Sequence, residues 1–161
     1  MVAWNGIVVF HTMTIVRLTP ERFGDFVSLI HALADYEHLE PPDAAATERL
    51  RADAFGARPR FEGALALDEA NQAIAYAIWF ETYSTFLAKP TMYLEDLFVL
   101  ERARGSGAGG RLFDYVRKLG DERGCGRMDW CVLDWNTLAR EFYHRRQAQW
   151  MKEWLVYRLT Y

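Results

Sequence analysis

Arg104-Gly105-Ser106-Gly107-Ala108-Gly109-Gly110, continuing into Arg111-Leu112-Phe113, is the stretch that decides how this chain is read. Upstream of it, Met92 to Leu100 is an apolar, strand-like run. Downstream, Leu112, Phe113, Val116 and Leu119 recur at three- and four-residue spacings and line one face of a helix. Glycines at a strand-to-helix junction let the backbone come close to a ligand. The N–H groups of the first helical turn, with the helix dipole behind them, attract an anion such as a pyrophosphate. A flexible turn with a poor helix start is the plainer alternative, and this density of glycine at one junction disfavours it.

Three phosphate-binding patterns compete for the segment. A nucleoside-triphosphate loop needs Lys and then Ser or Thr after its last glycine, to hold phosphate and Mg²⁺, and Arg111-Leu112 stand there instead. Gly105, Gly107 and Gly110 satisfy the dinucleotide fingerprint literally, with Asp129 at a suitable distance to bind a ribose. That motif sits hard against the first strand of a parallel sheet, however, whereas Glu101 to Arg104 intervene here, late in a partly antiparallel chain. The third pattern, Arg-x-x-Gly-x-Gly at Arg104, Gly107 and Gly109, fits the placement without strain.

Outward from this junction the chain alternates strands and helices. Thr14 to Leu18 reads as a strand, and Thr19-Pro20 opens a helix to about Ala34 with Phe23, Phe26, Val27, Ile30 and Leu33 on one stripe. Tyr36 to Asp43 reads as an acidic loop, and Thr47 to Ala54 as a short helix. Arg60–Leu67 and Ala73–Glu81 form a hairpin around a turn at Asp68 to Gln72, and Tyr83 to Pro90 reads as a loop. Arg127 to Leu133 is a further strand, Asn136 caps a helix to about Arg146, and Trp154 to Tyr161 closes the chain as a strand. The order is mixed α/β, antiparallel at first and βαβ-like later.

The 161 residues, 51% hydrophobic and 25% charged, suit a single globular domain over residues 13–161. Lys and Arg number 19 against 22 Asp and Glu, a net charge of −3, so no global positive field exists for a nucleic-acid backbone. Residues 1–12 are apolar but lack a basic flank and the length of a membrane span. With Met13 standing before the first strand, they read as an upstream-start extension or a vestige of cloning, and no membrane anchoring is expected. Cys125 and Cys131 read as buried small hydrophobes in a chain of the reducing cytoplasm. His11, His31, His38 and His144 show no ligand spacing, so no metal is expected. Trp130, Trp135, Trp150 and Trp154 read as core or subunit interface.

Taken together, Leu33-Ala34-Asp35-Tyr36-Glu37, Tyr93-Leu94-Glu95-Asp96-Leu97-Phe98-Val99, the Arg104 to Gly110 block, and Trp135-Asn136 followed by Phe142-Tyr143-His144-Arg145-Arg146 resemble the GNAT superfamily of acyl-CoA N-acyltransferases. Within it they resemble the diamine and thialysine acetyltransferase branch. The resemblance implies an α/β (α+β) fold: a mixed, mostly antiparallel sheet, splayed at its centre where the pantetheine arm enters, and flanked by helices. It implies a homodimer and acetyl-CoA as donor, with coenzyme A as product.

Carried over residue by residue, the resemblance assigns Leu97, Phe98 and Val99 to the acetyl and pantetheine portion. Arg104, Gly105, Ser106, Gly107, Ala108, Gly109 and Gly110 go to the pyrophosphate, and Asn136, Thr137, Leu138 and Ala139 further along the cofactor. Tyr143 is placed near the thioester sulfur. Tyr36, Glu37, Glu95, Asp129, Trp130 and Cys131 border the amine. Elementary chemistry agrees. Only about one part in a thousand of an alkyl ammonium is neutral at pH 7, and only the neutral amine attacks a thioester, so a base is needed. Glu95 is the candidate base, with Asp96 assigned a structural role on the opposite face of the strand. Tyr143 is the candidate proton donor to the departing thiolate. Without the resemblance, Glu95 reads as a salt-bridged edge residue and Tyr143 as a helix aromatic.

Two departures stand out. Gln147 occupies the place of a helix-terminating glycine, and Ser84 stands where the polyamine branch carries an acid, which points to the thialysine type and to poor use of polyamines. The expected function is transfer of acetyl from acetyl-CoA to a primary amine of a small molecule by direct attack in a ternary complex. The alternatives are a noncatalytic acyl-CoA sensor on the same fold and a dinucleotide-binding oxidoreductase.

Overall fold

Four strands pair antiparallel in chain order, β1 (Thr14–Arg17), β2 (Glu62–Leu67), β3 (Ala73–Ser84) and β4 (Lys89–Val99), and β5 (Arg127–Asp129) adds to β4 in parallel. This computed structural model describes residues 13–161, so the expectation for residues 1–12 lies outside the described residues. The described chain falls into two compact units, one ending at Trp130 and the other Cys131–Tyr161.

In the first unit, a 3₁₀ turn at Pro20–Arg22 leads into α1 (Phe23–Glu37). Side chains alternate along β3, so Tyr76 and Ile78 face one way and Ala77 and Trp79 the other. Tyr76 meets Phe26 of α1 edge-on at 5.3 Å, within a buried cluster that includes Leu29, Leu65 and Phe98. On the opposite face, α3 (Ala108–Glu122) buries Leu112, Phe113 and Val116, and its Tyr115 packs against Trp79. Gly120 faces Met92 there, and a Cβ on it would make an ordinary packing contact with the Met92 Cβ at 3.4 Å. The β4–α3–β5 crossover is the βαβ unit expected from the sequence. α2 (Ala44–Phe55) is capped by Asp43, whose carboxylate accepts the Ala46 N–H at 2.7 Å.

Several boundaries differ from the sequence expectation. α1 runs past Ala34 to Glu37, so Tyr36 and Glu37 ride on its last turn rather than in a loop. The stripe continues because Tyr36 packs against Phe98, and the helix stops where His38 turns left-handed at φ 57°. The expected loop at Tyr83 to Pro90 narrows to a turn at residues 85–88, its ends joining the ladder with Tyr83 paired to Pro90 and Ser84 to Lys89.

In the second unit, Asn136 caps α4 (Thr137–Arg145), its side-chain oxygen accepting the Ala139 N–H at 3.1 Å. No strand is present among residues 131–161: Arg127 to Leu133 is regular only to Asp129, and Trp154 to Tyr161 forms no ladder. The apolar, β-prone composition of that tail is local preference, and a strand also needs a paired edge. α4 ends in a Schellman arrangement, Gln147 N–H to His144 C=O at 2.9 Å and Ala148 N–H to Tyr143 C=O at 3.1 Å, with Gln147 at φ 61°. A side chain in that conformation costs about 1 kcal/mol that glycine avoids. Gln147→Gly is therefore expected to raise the thermal midpoint by a few degrees, and calorimetry showing a lowered midpoint would contradict this account of the helix end.

Candidate functional site

Ile78 pairs with Asp96 and the next residue, Trp79, pairs with Leu94, so β4 holds one residue more than β3 across this step. The extra residue is Glu95. A bulge of this kind breaks the alternation of side chains. Before it, Met92 lies against α3; after it, Phe98 lies against Tyr36 and Tyr76 on the α1 face. The expectation that Asp96 points to the face opposite Glu95 assumed unbroken alternation, and the structure corrects it. The Tyr76 hydroxyl donates to Asp96 Oδ2 at 3.0 Å, while the charges of Glu95 and Glu37 both act on Asp96 and on Tyr76.

Three carboxylates are thus gathered over the end of α1. Burial, followed by the neighbouring charges of Glu95 and Glu37, pushes Asp96 up to about 6, although its hydrogen bond from Tyr76 acts the other way. Burial also raises Glu37. Tyr76 is pushed well above the ordinary phenol range, by burial first and by Asp96 next, so it stays a donor. No ion pair among the described residues involves Glu37, Glu95 or Asp96. The site offers negative charge to an incoming cation.

Beside this cluster the sheet parts. The β4–β5 ladder ends at Tyr93 opposite Asp129, so Leu94 to Val99 keeps β3 on one side and, among the described residues, has no strand on the other. Backbone groups of Leu97, Phe98 and Val99 that point away from β3 join no ladder among the described residues. Two residues beyond the strand, a 3₁₀ turn (Glu101–Ala103) delivers Arg104 and the glycine segment. Gly105 and Gly107 take φ of 81° and 90°, with open space where a Cβ would stand. Gly107 is the N-cap of α3, Ser106 Oγ accepts the Ala108 N–H at 3.4 Å, and the first-turn amides at Gly109 and Gly110 have no acceptor one turn back. Amides presented in this way can accept an anion.

Arg104 lies with its guanidinium 4.7 Å from the Tyr36 ring centroid, tying the cradle to the last turn of α1. Asp129 is paired to Arg127 at 2.9 Å, and Trp130 packs edge-on against Phe113. In the second unit, Cys131 is exposed, whereas Cys125 is half-buried, so the reading of both as buried hydrophobes holds for neither. Asn136, Thr137, Leu138 and Ala139 form the start of α4, and the Tyr143 ring packs against Phe142 at 5.2 Å. Ser84 is buried, and its hydroxyl accepts the Leu87 N–H at 3.3 Å in the β3–β4 turn. The sequence reading missed Tyr76, which looks like any strand aromatic until its partner is known. It also undervalued Asp96.

A model of the acetyltransferase (GNAT) family matches residues 27–148. The chain belongs to the GNAT family of acetyltransferases. A mouse thialysine N-epsilon-acetyltransferase is 32% identical over 145 residues, covering 84% of this chain and 85% of that protein. The L-ornithine N5-acetyltransferase NATA1 of Arabidopsis thaliana is 40% identical over 95 residues, 58% of this chain and 42% of that one. Among solved structures, an aminoglycoside N-acetyltransferase, AAC(6')-Iy, in complex with CoA superposes with a TM-score of 0.72 at 19% identity, over 92% of this chain and 95% of that chain. The GNAT-like mixed sheet expected from the sequence is therefore the fold, and the chain is an acyltransferase of amine N-acetyltransferase kinship.

Two outcomes test this geometry. A carboxyl whose folded pKa lies above its unfolded value favours the folded state fully below about pH 3.8, and that contribution disappears as pH rises through about 6. Asp96→Asn keeps the acceptor for Tyr76 and removes the charge. Its thermal midpoint should exceed that of the wild type at pH 8, with the gap closing by pH 4; an equal gap at both would refute the buried charge. Gly107→Val should abolish acetyl-CoA binding, because its Cβ occupies the open face of the cradle. Unchanged affinity by calorimetry in a variant with native circular dichroism would remove the cradle from the binding site.

Proposed function

We propose that this protein transfers acetyl from acetyl-CoA to the side-chain primary amine of a small α-amino acid, such as thialysine or ornithine, by direct attack in a ternary complex. The observation that carries the reading is the juxtaposition, around one strand, of an anion cradle on the open side of β4 and a carboxylate cluster at its bulge. The mouse and Arabidopsis thaliana relatives are named for thialysine and L-ornithine, and the acceptor class is drawn from those two names.

Arg104 to Gly110 hold the pyrophosphate, Leu97 to Val99 the thioester arm, and Asn136 to Ala139 the cofactor further along. Tyr36, Glu37, Asp129, Trp130 and Cys131 border the acceptor. Glu95 takes the proton of the ammonium, directly or through water. The neutral nitrogen then forms its bond to the thioester carbon, while a backbone N–H at Phe98 or Val99 stabilises the oxygen as it gains charge. The C–S bond breaks with Tyr143 giving a proton to the sulfur. We place the enzyme in the cytoplasm as a homodimer, which the exposure of Trp135, Trp150 and Trp154 supports.

The deciding experiment mixes pure protein with acetyl-CoA and thialysine, ornithine or spermidine and follows release of free thiol. Amine-dependent release is expected, with kcat/KM for the amino acids at least about tenfold above that for spermidine, a difference of roughly 1.4 kcal/mol. Acetyl-CoA binding without release would make the protein a sensor, and NAD(H) binding in its place a dinucleotide protein. Glu95→Gln should lose activity chiefly near neutral pH and recover partly by pH 9–10, where more amine is already neutral. A loss of equal size at every pH would move Glu95 from proton acceptor to positioning.

A further inference from the structure

Tyr76 has no exposed surface, and its ring is wedged between Phe26 and Phe98, yet its hydroxyl reaches out of this apolar cluster to a carboxylate at the bulge. A tyrosine here is not needed to fill the core, since phenylalanine has nearly the same shape. The hydroxyl must be satisfied when buried, and the partner it takes is Asp96 Oδ2 at 3.0 Å. Every aromatic contact that holds the ring thereby holds the carboxylate.

We propose that Tyr76 is a positioning residue for acetyl transfer: anchored in the core, its hydroxyl fixes the Asp96 carboxylate beside Glu95 as an anionic contact for the acceptor's ammonium. The inference rests on reading the Glu37, Glu95 and Asp96 cluster as the acceptor side of the site. The groups that face Asp96 are Tyr76 from β3, Glu95 from β4 and Glu37 from α1. The Arg104 guanidinium lies farther off, over Tyr36. Both neighbouring carboxylates and burial favour protonation of Asp96, and the Tyr76 hydrogen bond is the influence that opposes it. Removing the hydroxyl should therefore raise the pH at which Asp96 loses its proton, leaving the site one charge poorer near pH 6–7 and restoring that charge at higher pH.

The test measures KM and kcat for thialysine between pH 5.5 and 8.5, where the acceptor's ammonium, of pKa about 10, stays protonated. Wild type, Tyr76→Phe, Asp96→Asn and the double variant are compared. Tyr76→Phe is expected to raise KM about fivefold or more near pH 6.5, to converge with wild type within about twofold by pH 8.5, and to leave kcat within about twofold throughout. Asp96→Asn should raise KM at pH 7 and above and flatten its rise at low pH, and adding Tyr76→Phe to it should change nothing further. A Tyr76→Phe profile parallel to that of wild type, with only a lower thermal midpoint, would overturn the proposal and leave Tyr76 a packing residue. If Asp96→Asn leaves KM unchanged at every pH, the acceptor does not sit on this cluster, and that reading falls with the inference built on it. Should Tyr76→Phe fail to fold, the wild-type profile decides: a KM that does not rise as pH falls through about 6 overturns the proposal.

Discussion

One extra residue in β4 sets the arrangement of everything around it. Without the bulge at Glu95, strict alternation would carry Met92, Leu94, Asp96 and Phe98 along a single face, and both α1 and α3 would lose a share of their packing. With it, the strand serves α3 with its first half and α1 with its second. Met92 lies against Gly120, and Phe98 completes the aromatic cluster of Phe26, Tyr36 and Tyr76. The carboxylates at the crossover are brought to the α1 face as a consequence of core packing. The charge of Asp96 is therefore maintained at a cost to stability that the apolar cluster offsets.

The second constraint is the length of β5. Three residues pair with β4 and the ladder then stops, which leaves a stretch of strand that no further described strand pairs on that side. In most sheets such an edge would be covered or charged. Here it continues, through a single 3₁₀ turn, into the glycines that open α3. An elongated ligand with an anionic end and a carbonyl further along would satisfy both sets of donors at once, which is the shape of an acyl-CoA.

Much of this was legible in the sequence. The glycines after β4 marked a strand-to-helix junction, and α3 begins there, with Gly105 and Gly107 at positive φ. The stripes of α1 and α3 followed from spacing, and Asp43 and Asn136 are the kinds of residue that cap helices. What stayed hidden was relational. A bulge leaves no trace in Leu94-Glu95-Asp96-Leu97, because it is defined by the partner strand, so the face of Asp96 was assigned wrongly. The end of α1 was missed because Tyr36-Glu37-His38 reads as polar loop, though Tyr36 is held by packing against Phe98. Ser84 was read only as the place of a missing acid, because its role as a turn acceptor depends on where the hairpin closes. The tail from Trp154 shows the reverse error, strand propensity with no ladder to join.

The account stands on one spatial claim, that donor and acceptor meet along the second half of β4. A crystal structure with coenzyme A and thialysine bound tests it most directly. The account predicts pyrophosphate oxygens within hydrogen-bond reach of amides between Gly107 and Gly110, the pantetheine arm beside Leu97 to Val99, and the acceptor's amine nitrogen within about 3 Å of the Glu95 or Asp96 carboxylate or of a water bridging to it. Coenzyme A seated away from the glycine segment, or an amine bound with no carboxylate of the bulge near its nitrogen, would contradict it.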